Sequence, residues 1–326
     1  MSKPKIQVIV LGGTITMAPS ASGGIVPTLT GKDMLEQVPI LAQIADIEVE
    51  TPFLVPGASL TVAHLGKVAE RIGQLDETET SGVVVVQGTD TIDETSFLLD
   101  LLYGGALPVV VTGAMRGATA PGADGHANLA AAVTVAASPA ARNLGTLVVL
   151  NDEVHAARFV EKGHTGFPSA FNSRNGGPLG LVAEGRFRLV TRPADRPELR
   201  FQPRIKDVAI VKAGLGDDGR LMSALSGLGF EGAVIEGMGA GHVPDTLVAP
   251  IQNLAGEMPV VLATRVPAGP IFTETYGFPG SEIDLIKRGV IPAEMLTPHK
   301  ARLLLALCLG ARFDRVAIAA AFEQFG

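Results

Sequence analysis

Short apolar runs alternate along the chain with longer stretches whose apolar residues recur every three or four positions. The clearest run is GVVVVQG at 82–88, where four successive valines indicate a strand that is buried on both faces. The clearest longer stretch is TVAHLGKVAERIGQL at 61–75, which has the periodicity of an amphipathic helix. Apolar strands separated by helices predict a mostly parallel sheet that helices cover on both faces.

The same two patterns recur through both halves of the chain, so the predicted order is strand, helix, strand. We predict further strands at 6–13, 47–55, 107–115 and 145–152 in the first half, and at 207–214, 232–241 and 259–266 in the second half. We predict further helices at 31–41, 91–105 and 124–138 in the first half, and at 217–229, 246–257 and 298–310 in the second half.

One stretch interrupts the alternation and divides the chain. Residues 185–206 are rich in arginine and proline and carry little helix signal. We therefore predict an N-terminal domain at 1–188, a linker at 189–206 and a smaller domain at 207–326. The expected fold class is α/β, with a large N-terminal domain whose mostly parallel sheet is flanked by helices, and a smaller C-terminal α/β domain.

The composition excludes several classes of function. The formal net charge is −7, which argues against a nucleic-acid partner. A single cysteine, Cys308, rules out an intramolecular disulfide and disfavours a cysteine-based metal site; its apolar surroundings predict a buried side chain. The N-terminus does not resemble a secretory signal. The sequence contains no run of 18 apolar residues, so no membrane span is predicted. We expect a cytoplasmic protein with no membrane partner.

Polar side chains follow the predicted strands at the points where the strands end. In a parallel α/β sheet, ligands bind beyond the carboxyl ends of the strands, next to helix N-termini that offer free N–H groups. Several hydroxyl and charged side chains should therefore surround one cleft. They are Thr14 after the first strand, Thr89, Asp90 and Thr91 after the third, Arg116 and Asp124 after the fourth, and Asp152 and Lys162 after the fifth.

Each of these residues also has a purely structural interpretation. Thr89 or Thr91 could cap the following helix, Asp90 could stabilise its dipole, and Lys162 could be a solvated surface lysine. Other site types fit poorly at the exit of the first strand, because LGGTIT is not the dinucleotide glycine pattern and no P-loop lysine follows it. The chain also lacks the H-E-x-x-H metal motif and the G-x-S-x-G nucleophile elbow.

Three motifs together resemble one known family. They are LGGTIT at 11–16, QGTDTIDETSFLLDLL at 87–102 and VTGAMRGATAPGADGHANLAAAV at 111–133. This combination is similar to the bacterial L-asparaginase family, which includes the glutaminase-asparaginases. The resemblance continues in order as far as TPHKARLLL at 297–305 and so covers nearly the whole chain.

The resemblance implies an amidohydrolase with a threonine nucleophile. Thr14 matches the threonine of the first family motif, which is taken to attack the side-chain amide carbon and form an acyl-enzyme. Thr89 matches the threonine of the second motif, and Asp90 and Lys162 match its partners. These roles fit the chemistry, because a threonine hydroxyl is a weak nucleophile that needs a neighbouring base. Which of the two threonines attacks first stays open at this point.

The resemblance also implies a set of substrate-binding residues. Ser59 is the best hydroxyl for the substrate carboxylate, and Gly88 is also expected to contact the substrate. Backbone N–H groups around Thr89 and Ala114 are expected to hold the developing oxyanion. Glu282 matches a glutamate that reaches the substrate ammonium from a neighbouring subunit. A shared site of this kind implies a homo-oligomer, expected as a dimer of dimers. His242 stands where some members have an asparagine that also crosses the interface.

The sequence departs from the family pattern in the loop after Thr14. Many members have a tyrosine there, and residues 15–31 contain none. The expected activity is hydrolysis of L-asparagine to L-aspartate and ammonia, without a cofactor or a metal. The alternatives are a glutaminase-asparaginase, an amidase for another small amino-acid amide, and an amino-acid-binding protein that has lost catalysis.

Overall fold

The computed structural model describes residues 3–13, 15, 17–19, 25–27, 30–193, 197 and 199–325. The chain divides into two compact units, Met1–Glu198 and Leu199–Gly326. Among the described residues, no helix has the length and the hydropathy that a membrane crossing requires.

The first unit consists of strands and helices in alternation, followed by a group of short strands. The strands are β1 Lys5–Val10, β2 Met17–Pro19, β3 Ile25–Pro27, β4 Asp46–Glu50, β5 Gly82–Val86, β6 Val109–Thr112, β7 Thr146–Leu150, β8 Glu153–Ala156, β9 Glu161–Lys162, β10 Phe171–Asn172, β11 Gly180–Ala183 and β12 Arg186–Leu189. The helices are α1 Gly31–Glu36, α2 Leu41–Ile44, α3 Val62–Gly73, α4 Ile92–Leu102 and α5 Gly125–Ala136.

Eight of these strands form one sheet in the order β12-β11-β8-β7-β6-β5-β1-β4. Five neighbouring strands pair in parallel, in the order β4, β1, β5, β6 and β7. Strands β8, β11 and β12 extend the sheet beyond β7 with antiparallel pairs. Two small antiparallel hairpins, β2–β3 and β9–β10, lie outside this sheet. The predicted large domain with a mostly parallel sheet is confirmed.

The valines of β5 explain why the centre of the sheet is stable. Val84 and Val86 join the core that α5 covers, whereas Val83 and Val85 point to the opposite face. All four are fully buried. A buried valine contributes roughly 1.5–3 kcal/mol through the hydrophobic effect, so this strand holds the segment that follows it firmly in place.

The structure differs from the prediction after β7, where we predicted no further strand before the linker. Asn151 and Asp152 have φ values of 52° and 60°, and they turn the chain straight back into β8. Two successive residues with positive φ form the type I′ turn of a tight hairpin, and asparagine and aspartate tolerate that conformation. The alternation of strands and helices therefore ends at β7.

The second unit is smaller and contains one four-stranded parallel sheet in the order β13-β14-β15-β16. This agrees with the predicted α/β class. Its strands are β13 Val208–Lys212, β14 Gly232–Gly237, β15 Val260–Thr264 and β16 Ile291–Pro292, and its helices are α6 Arg220–Ala224, α7 Val248–Glu257, α8 Glu282–Lys287, α9 Pro298–Gly310 and α10 Arg315–Glu323.

Several predicted boundaries were wrong. The helix expected at 31–41 is two short helices, because Pro39 disfavours helical backbone in the residue before it and cannot donate an N–H group. The strand expected at 47–55 ends at Glu50, shortly before Pro52. Helices α8 and α10 and the strand β16 were not predicted.

Candidate active site

Three glycines bring the ends of β1 and β5 and a neighbouring loop into backbone contact. Gly13 has a φ of +93°, and a Cβ added there would lie 2.1 Å from the backbone nitrogen of Gly88. A Cβ on Gly57 would lie 2.8 Å from the carbonyl oxygen of Gly88. Real Cβ atoms do not come that close to backbone atoms, so only glycine permits this arrangement. The contact fixes the point where the chain leaves β5.

The turn after β5 is held by side-chain hydrogen bonds. Residues Thr89–Thr91 form one turn of 3-10 helix between β5 and α4. The buried amide of Gln87 donates to Thr91 Oγ1 at 3.3 Å, and the Thr91 hydroxyl donates to the carbonyl of Gly57 at 3.0 Å. Thr91 is the N-cap residue of α4, but its side chain makes no capping hydrogen bond. Its hydroxyl instead ties the turn to the loop at Gly57.

Thr89, Asp90 and Lys162 form a direct contact at this turn. Lys162 Nζ donates to Thr89 Oγ1 at 2.9 Å and lies 3.0 Å from Asp90 Oδ1. The Lys162 side chain is 17% exposed and the Asp90 side chain 64% exposed, while Thr89 is 7% exposed. The lysine is therefore not a solvated surface residue. A lysine amine beside a buried hydroxyl can pass a proton to or from it, provided that the lysine changes its protonation state.

Lys162 reaches Thr89 from the β9–β10 hairpin. Phe171 on β10 pairs with Lys162, and Ser173 follows β10. The Ser173 hydroxyl lies 3.0 Å from Nδ1 of His155, a buried residue of β8. Burial lowers the pKa of His155 to about 4, so its ring is neutral at pH 7. The hairpin is thus attached to the main sheet through a neutral hydrogen bond.

A cavity of about 410 Å³ opens beside this contact, and Asp90, Lys162, Gly163, His164 and Thr165 line it.

Three other charged residues that we expected at the same cleft do not line this cavity in the described part of the chain. The Asp124 carboxylate accepts hydrogen bonds from the N–H groups of Met115 at 3.0 Å and Arg116 at 2.9 Å. The Arg116 guanidinium donates to the carbonyl of Gly122 at 3.0 Å. Both residues therefore close the loop after β6 on itself. Asp152 is exposed in the turn between β7 and β8.

The expected substrate-binding residues of the first unit lie in segments that meet at this point. Gly88 directly precedes Thr89. Ala114 is buried and follows Gly113, where an added Cβ would lie 3.3 Å from Cγ2 of Thr89. Ser59 is exposed at the end of the 3-10 turn that begins at Gly57. Thr14 lies outside the described residues, and so does much of the loop that follows it; its neighbours Gly13 and Ile15 are described and buried.

Glu282 belongs to the second unit, where it begins α8 and is fully buried. Its Oε1 accepts the N–H groups of Thr275 at 3.1 Å and Tyr276, and its Oε2 lies 3.2 Å from Nε2 of His242. Burial alone raises the pKa of Glu282, but the backbone N–H groups, that of Tyr276 first, together with His242 hold it below its usual range. The carboxylate is therefore charged at pH 7 and is fixed in direction.

Several residues that support the site could not be identified from the sequence. Gln87 and Asp93 lie inside the quoted motif at 87–102, and His155 lies in a segment for which we predicted neither a strand nor a helix. Their signal was weak, because the contacts that matter join residues far apart in the chain. A polar side chain that is buried beside the motif indicates a supporting role, but the sequence alone does not show which polar side chains are buried.

Comparison with known proteins gives a consistent result over the whole chain. Residues 5–195 match the family model described as "Asparaginase, N-terminal", and residues 207–322 match "Glutaminase/Asparaginase C-terminal domain". The chain is 37% identical to the probable L-asparaginase of Deinococcus radiodurans over 331 residues, covering 99% of this chain and 98% of the relative. It is 33% identical to the L-asparaginase of Bacillus licheniformis over 307 residues, covering 94% and 95%.

A solved structure is similar over the same extent. The probable cytoplasmic L-asparaginase from Campylobacter jejuni superposes with a TM-score of 0.88 at 31% sequence identity, covering 98% of this chain and 99% of that chain.

Proposed function

The chain belongs to the asparaginase family, and from this premise we propose that it hydrolyses the side-chain amide of L-asparagine to L-aspartate and ammonia. The observation that carries the proposal is the contact of Lys162 Nζ with Thr89 Oγ1 and Asp90 Oδ1 at the carboxyl end of β5. A hydroxyl, an amine and a carboxylate in contact beside a cavity are the groups that amide hydrolysis needs.

The proposed reaction has two steps. The Thr14 hydroxyl attacks the side-chain amide carbon, its proton passes to the departing nitrogen, and ammonia leaves behind an ester on Thr14. Water then attacks the ester carbon, its proton returns to the Thr14 oxygen, and aspartate is released. Gly13, the chain neighbour of Thr14, packs against Gly88, the chain neighbour of Thr89, which supports a site that both threonines share.

Asp90 connects substrate binding to the state of Lys162. In the structure the Asp90 carboxylate is paired with Lys162. A substrate ammonium that binds Asp90 would compete for this carboxylate and leave Lys162 freer to release a proton. We propose that Lys162 and Thr89 then relay protons and orient the water. Backbone N–H groups around Thr89 and Ala114 would stabilise the oxyanion, and Ser59 would bind the substrate carboxylate.

The test is ammonia release from L-Asn, D-Asn and L-Gln by the wild type and by Thr14→Ala, Thr89→Ala and Lys162→Met. Loss of a proton-relay group should lower kcat by ~10²–10⁴-fold. Thr95→Val is the matched control, because Thr95 is a buried threonine of the same segment whose hydroxyl has no hydrogen-bond partner among the described residues. Its activity should stay within about twofold of the wild type.

Three outcomes would contradict the proposal in different ways. No ammonia from any substrate, with the protein folded, would favour a binding protein that has lost catalysis. Equal or faster release from L-Gln would favour a glutaminase-asparaginase, the alternative that the name of the C-terminal family model supports. Full activity in Thr89→Ala would show that the contact between Thr89 and Lys162 is not needed for catalysis.

We further propose that Glu282 completes the active site of a neighbouring subunit in a homo-oligomer, expected as a dimer of dimers. The carboxylate of Glu282 accepts the N–H groups of Thr275 and Tyr276 and lies beside His242, and the backbone N–H of Glu282 also lowers its pKa. Because Glu282 is fully buried in the single chain, the backbone at Thr275 and Tyr276 would have to shift before a substrate ammonium could reach the carboxylate. Ionised and fixed, Glu282 is suited to that contact.

The surface around Glu282 supports an interface. Residues 272–279 are all exposed, and they include three large aromatic residues, Phe272, Tyr276 and Phe278. The His242 ring packs edge-on against Tyr276 and Phe278, with centroid distances of 4.8 and 5.2 Å. Exposed aromatic groups clustered in this way are typical of protein interfaces.

A mixing experiment tests whether active sites are shared. Thr89→Ala loses the threonine hydroxyl but keeps Glu282, and Glu282→Gln loses the carboxylate but keeps both threonines. Each variant alone should therefore be nearly inactive at low substrate concentration. Co-expression of the two would produce heterodimers with one intact site each. Random pairing then restores about a quarter of the wild-type activity. If the mixture is no more active than its components, Glu282 does not act across an interface.

The cytoplasmic location expected from the sequence stays a prediction. The name of the Campylobacter jejuni relative is consistent with it. Separation of the host cell into cytoplasmic and other fractions would test it.

A further inference from the structure

Lys162 is held at both ends by one short segment of the chain. Its ammonium contacts Thr89 and Asp90, and its backbone N–H donates to Oδ2 of Asp93 at 3.3 Å. Asp93 lies only three residues after Asp90, in the first turn of α4. We propose that Asp93 is a positioning residue. It fixes the position of the Lys162 amine relative to the Thr89 hydroxyl and acts on catalysis only through that lysine.

The environment of Asp93 suits this role. The residue is 7% exposed, and its Oδ1 accepts the N–H of Glu94 at 3.0 Å. Hydrogen bonds to both carboxylate oxygens fix the direction of the group. A charged acceptor makes a stronger hydrogen bond to an N–H than a neutral one does, so the bond to Lys162 constrains the backbone of β9.

The backbone of β9 needs such a constraint because it is short. The strand comprises only Glu161 and Lys162, and the segment after it, from Gly163 to Phe167, is exposed throughout. On the other side of the hairpin, Ser173 is tied to His155. Asp93 therefore fixes the strand that carries the lysine, and Ser173 fixes the strand beside it. A shift of about 1 Å at a catalytic group can lower a rate by ~10²-fold.

A simpler interpretation is that Asp93 only complements the dipole of α4. Acidic residues in the first turn stabilise a helix, and Glu94 is placed equally well for that purpose. The two interpretations make different predictions. If the charge at the helix start is what matters, Glu94→Gln and Asp93→Asn should have similar effects. If the contact with Lys162 matters, only Asp93→Asn should affect kcat.

The inference rests on the proposed function, and the experiment separates the two. Asp93→Asn, Glu94→Gln, Lys162→Met and the double variant Asp93→Asn/Lys162→Met are compared by kcat and KM for L-asparagine. We expect Asp93→Asn to lower kcat by ~10–100-fold with KM within about threefold, and Glu94→Gln to change kcat by less than about twofold. In the Lys162→Met background, Asp93→Asn should cost less than about twofold more.

The double variant is the decisive arm. A loss from Asp93→Asn that is equally large with and without Lys162 would show that Asp93 acts through general structure, and it would overturn the inference. Wild-type kcat in Asp93→Asn would overturn it as well. The proposed function is not affected by either result, because it depends on wild-type turnover and on the Thr14 and Thr89 variants.

A second measurement does not depend on turnover. Hydrogen–deuterium exchange of the peptide that contains Lys162 should be faster in Asp93→Asn than in Glu94→Gln, because the amide of Lys162 loses its charged acceptor. Melting temperatures within a few degrees of the wild type would show that both variants fold. Equal exchange in the two variants would mean that Asp93 does not hold β9, whatever the enzyme's substrate.

Discussion

Gly13 offers the sharpest test of how the site is built, because the structure leaves no room for a side chain there. The perturbation is Gly13→Ala, which adds one methyl group. The new Cβ would lie 2.1 Å from the nitrogen and 2.4 Å from the Cα of Gly88, and 2.5 Å from the carbonyl carbon of Gln87. All three are backbone atoms, so no side chain can rotate away to relieve the overlap.

Two costs add up in this variant. A residue other than glycine at the left-handed φ of +93° costs about 1–2 kcal/mol. Forcing a methyl group into packed surroundings costs about 1–3 kcal/mol more. The free energy of unfolding should therefore fall by roughly 2–5 kcal/mol. For a unit of this size that corresponds to a decrease in Tm of about 4–20 °C.

The cost should also appear in catalysis. Relief of the overlap must move Gly88 away from Gly13, and Thr89 moves with it. We expect kcat for L-asparagine to fall by ~10-fold or more in protein that is still folded. The assay is thermal unfolding followed by circular dichroism, together with ammonia release at a temperature well below the lowered Tm.

Gly73→Ala is the matched control for this experiment. Gly73 ends α3, is exposed, and an added Cβ there would meet no atom within 4 Å. The control should be neutral or more stable by up to about 1 kcal/mol, since alanine favours helices. If Gly13→Ala is as stable and as active as Gly73→Ala, the exits of β1 and β5 are not in backbone contact, and the account of the site is wrong.

Two further predictions concern buried titratable groups. His155 is neutral in the fold with a pKa of about 4, below its ordinary value of 6.5. Its contribution to stability is therefore complete above pH 6.5 and is lost as the pH falls towards 4, by about 3 kcal/mol in total. His155→Gln should flatten this part of a plot of unfolding free energy against pH, and an unchanged slope would contradict the burial of the ring. Burial also raises the pKa of Cys308 to about 12, so the native protein should not react with a thiol reagent at pH 8, whereas the unfolded protein should react with one equivalent.

The strands and the strand exits could be predicted from sequence because their signals are local. Four valines in succession indicate a buried strand wherever they occur, and a glycine pair before a threonine indicates a close backbone approach. The α/β class and the polar edge of the sheet followed from these signals. The hairpin of β7 and β8 was missed although Asn151 and Asp152 suit a tight turn, because no strand was predicted at 153–156.

The contacts of the site could not be predicted from local signals, because they join distant residues. Thr89 and Lys162 are 73 positions apart, and Asp93 and Lys162 are 69 apart. Sequence patterns indicate which face of an element is buried, but they do not indicate how a two-residue strand outside the main sheet is oriented. The family resemblance named Lys162 as a partner of Thr89. It did not reveal that Asp93 and Ser173 hold the hairpin that carries the lysine.

The site is thus supported by two devices of different physical kind. On the side of β1 and β5, glycines remove side chains so that backbone atoms pack directly, and the position of Thr89 is fixed by steric exclusion. On the side of the β9–β10 hairpin, buried polar groups make directed hydrogen bonds that fix Lys162. No residue larger than glycine fits where backbone atoms pack directly, whereas a substitution can weaken a hydrogen bond without displacing the backbone. Substitutions on the glycine side should therefore cost stability and activity together, and those on the hairpin side should lower kcat while the protein stays folded.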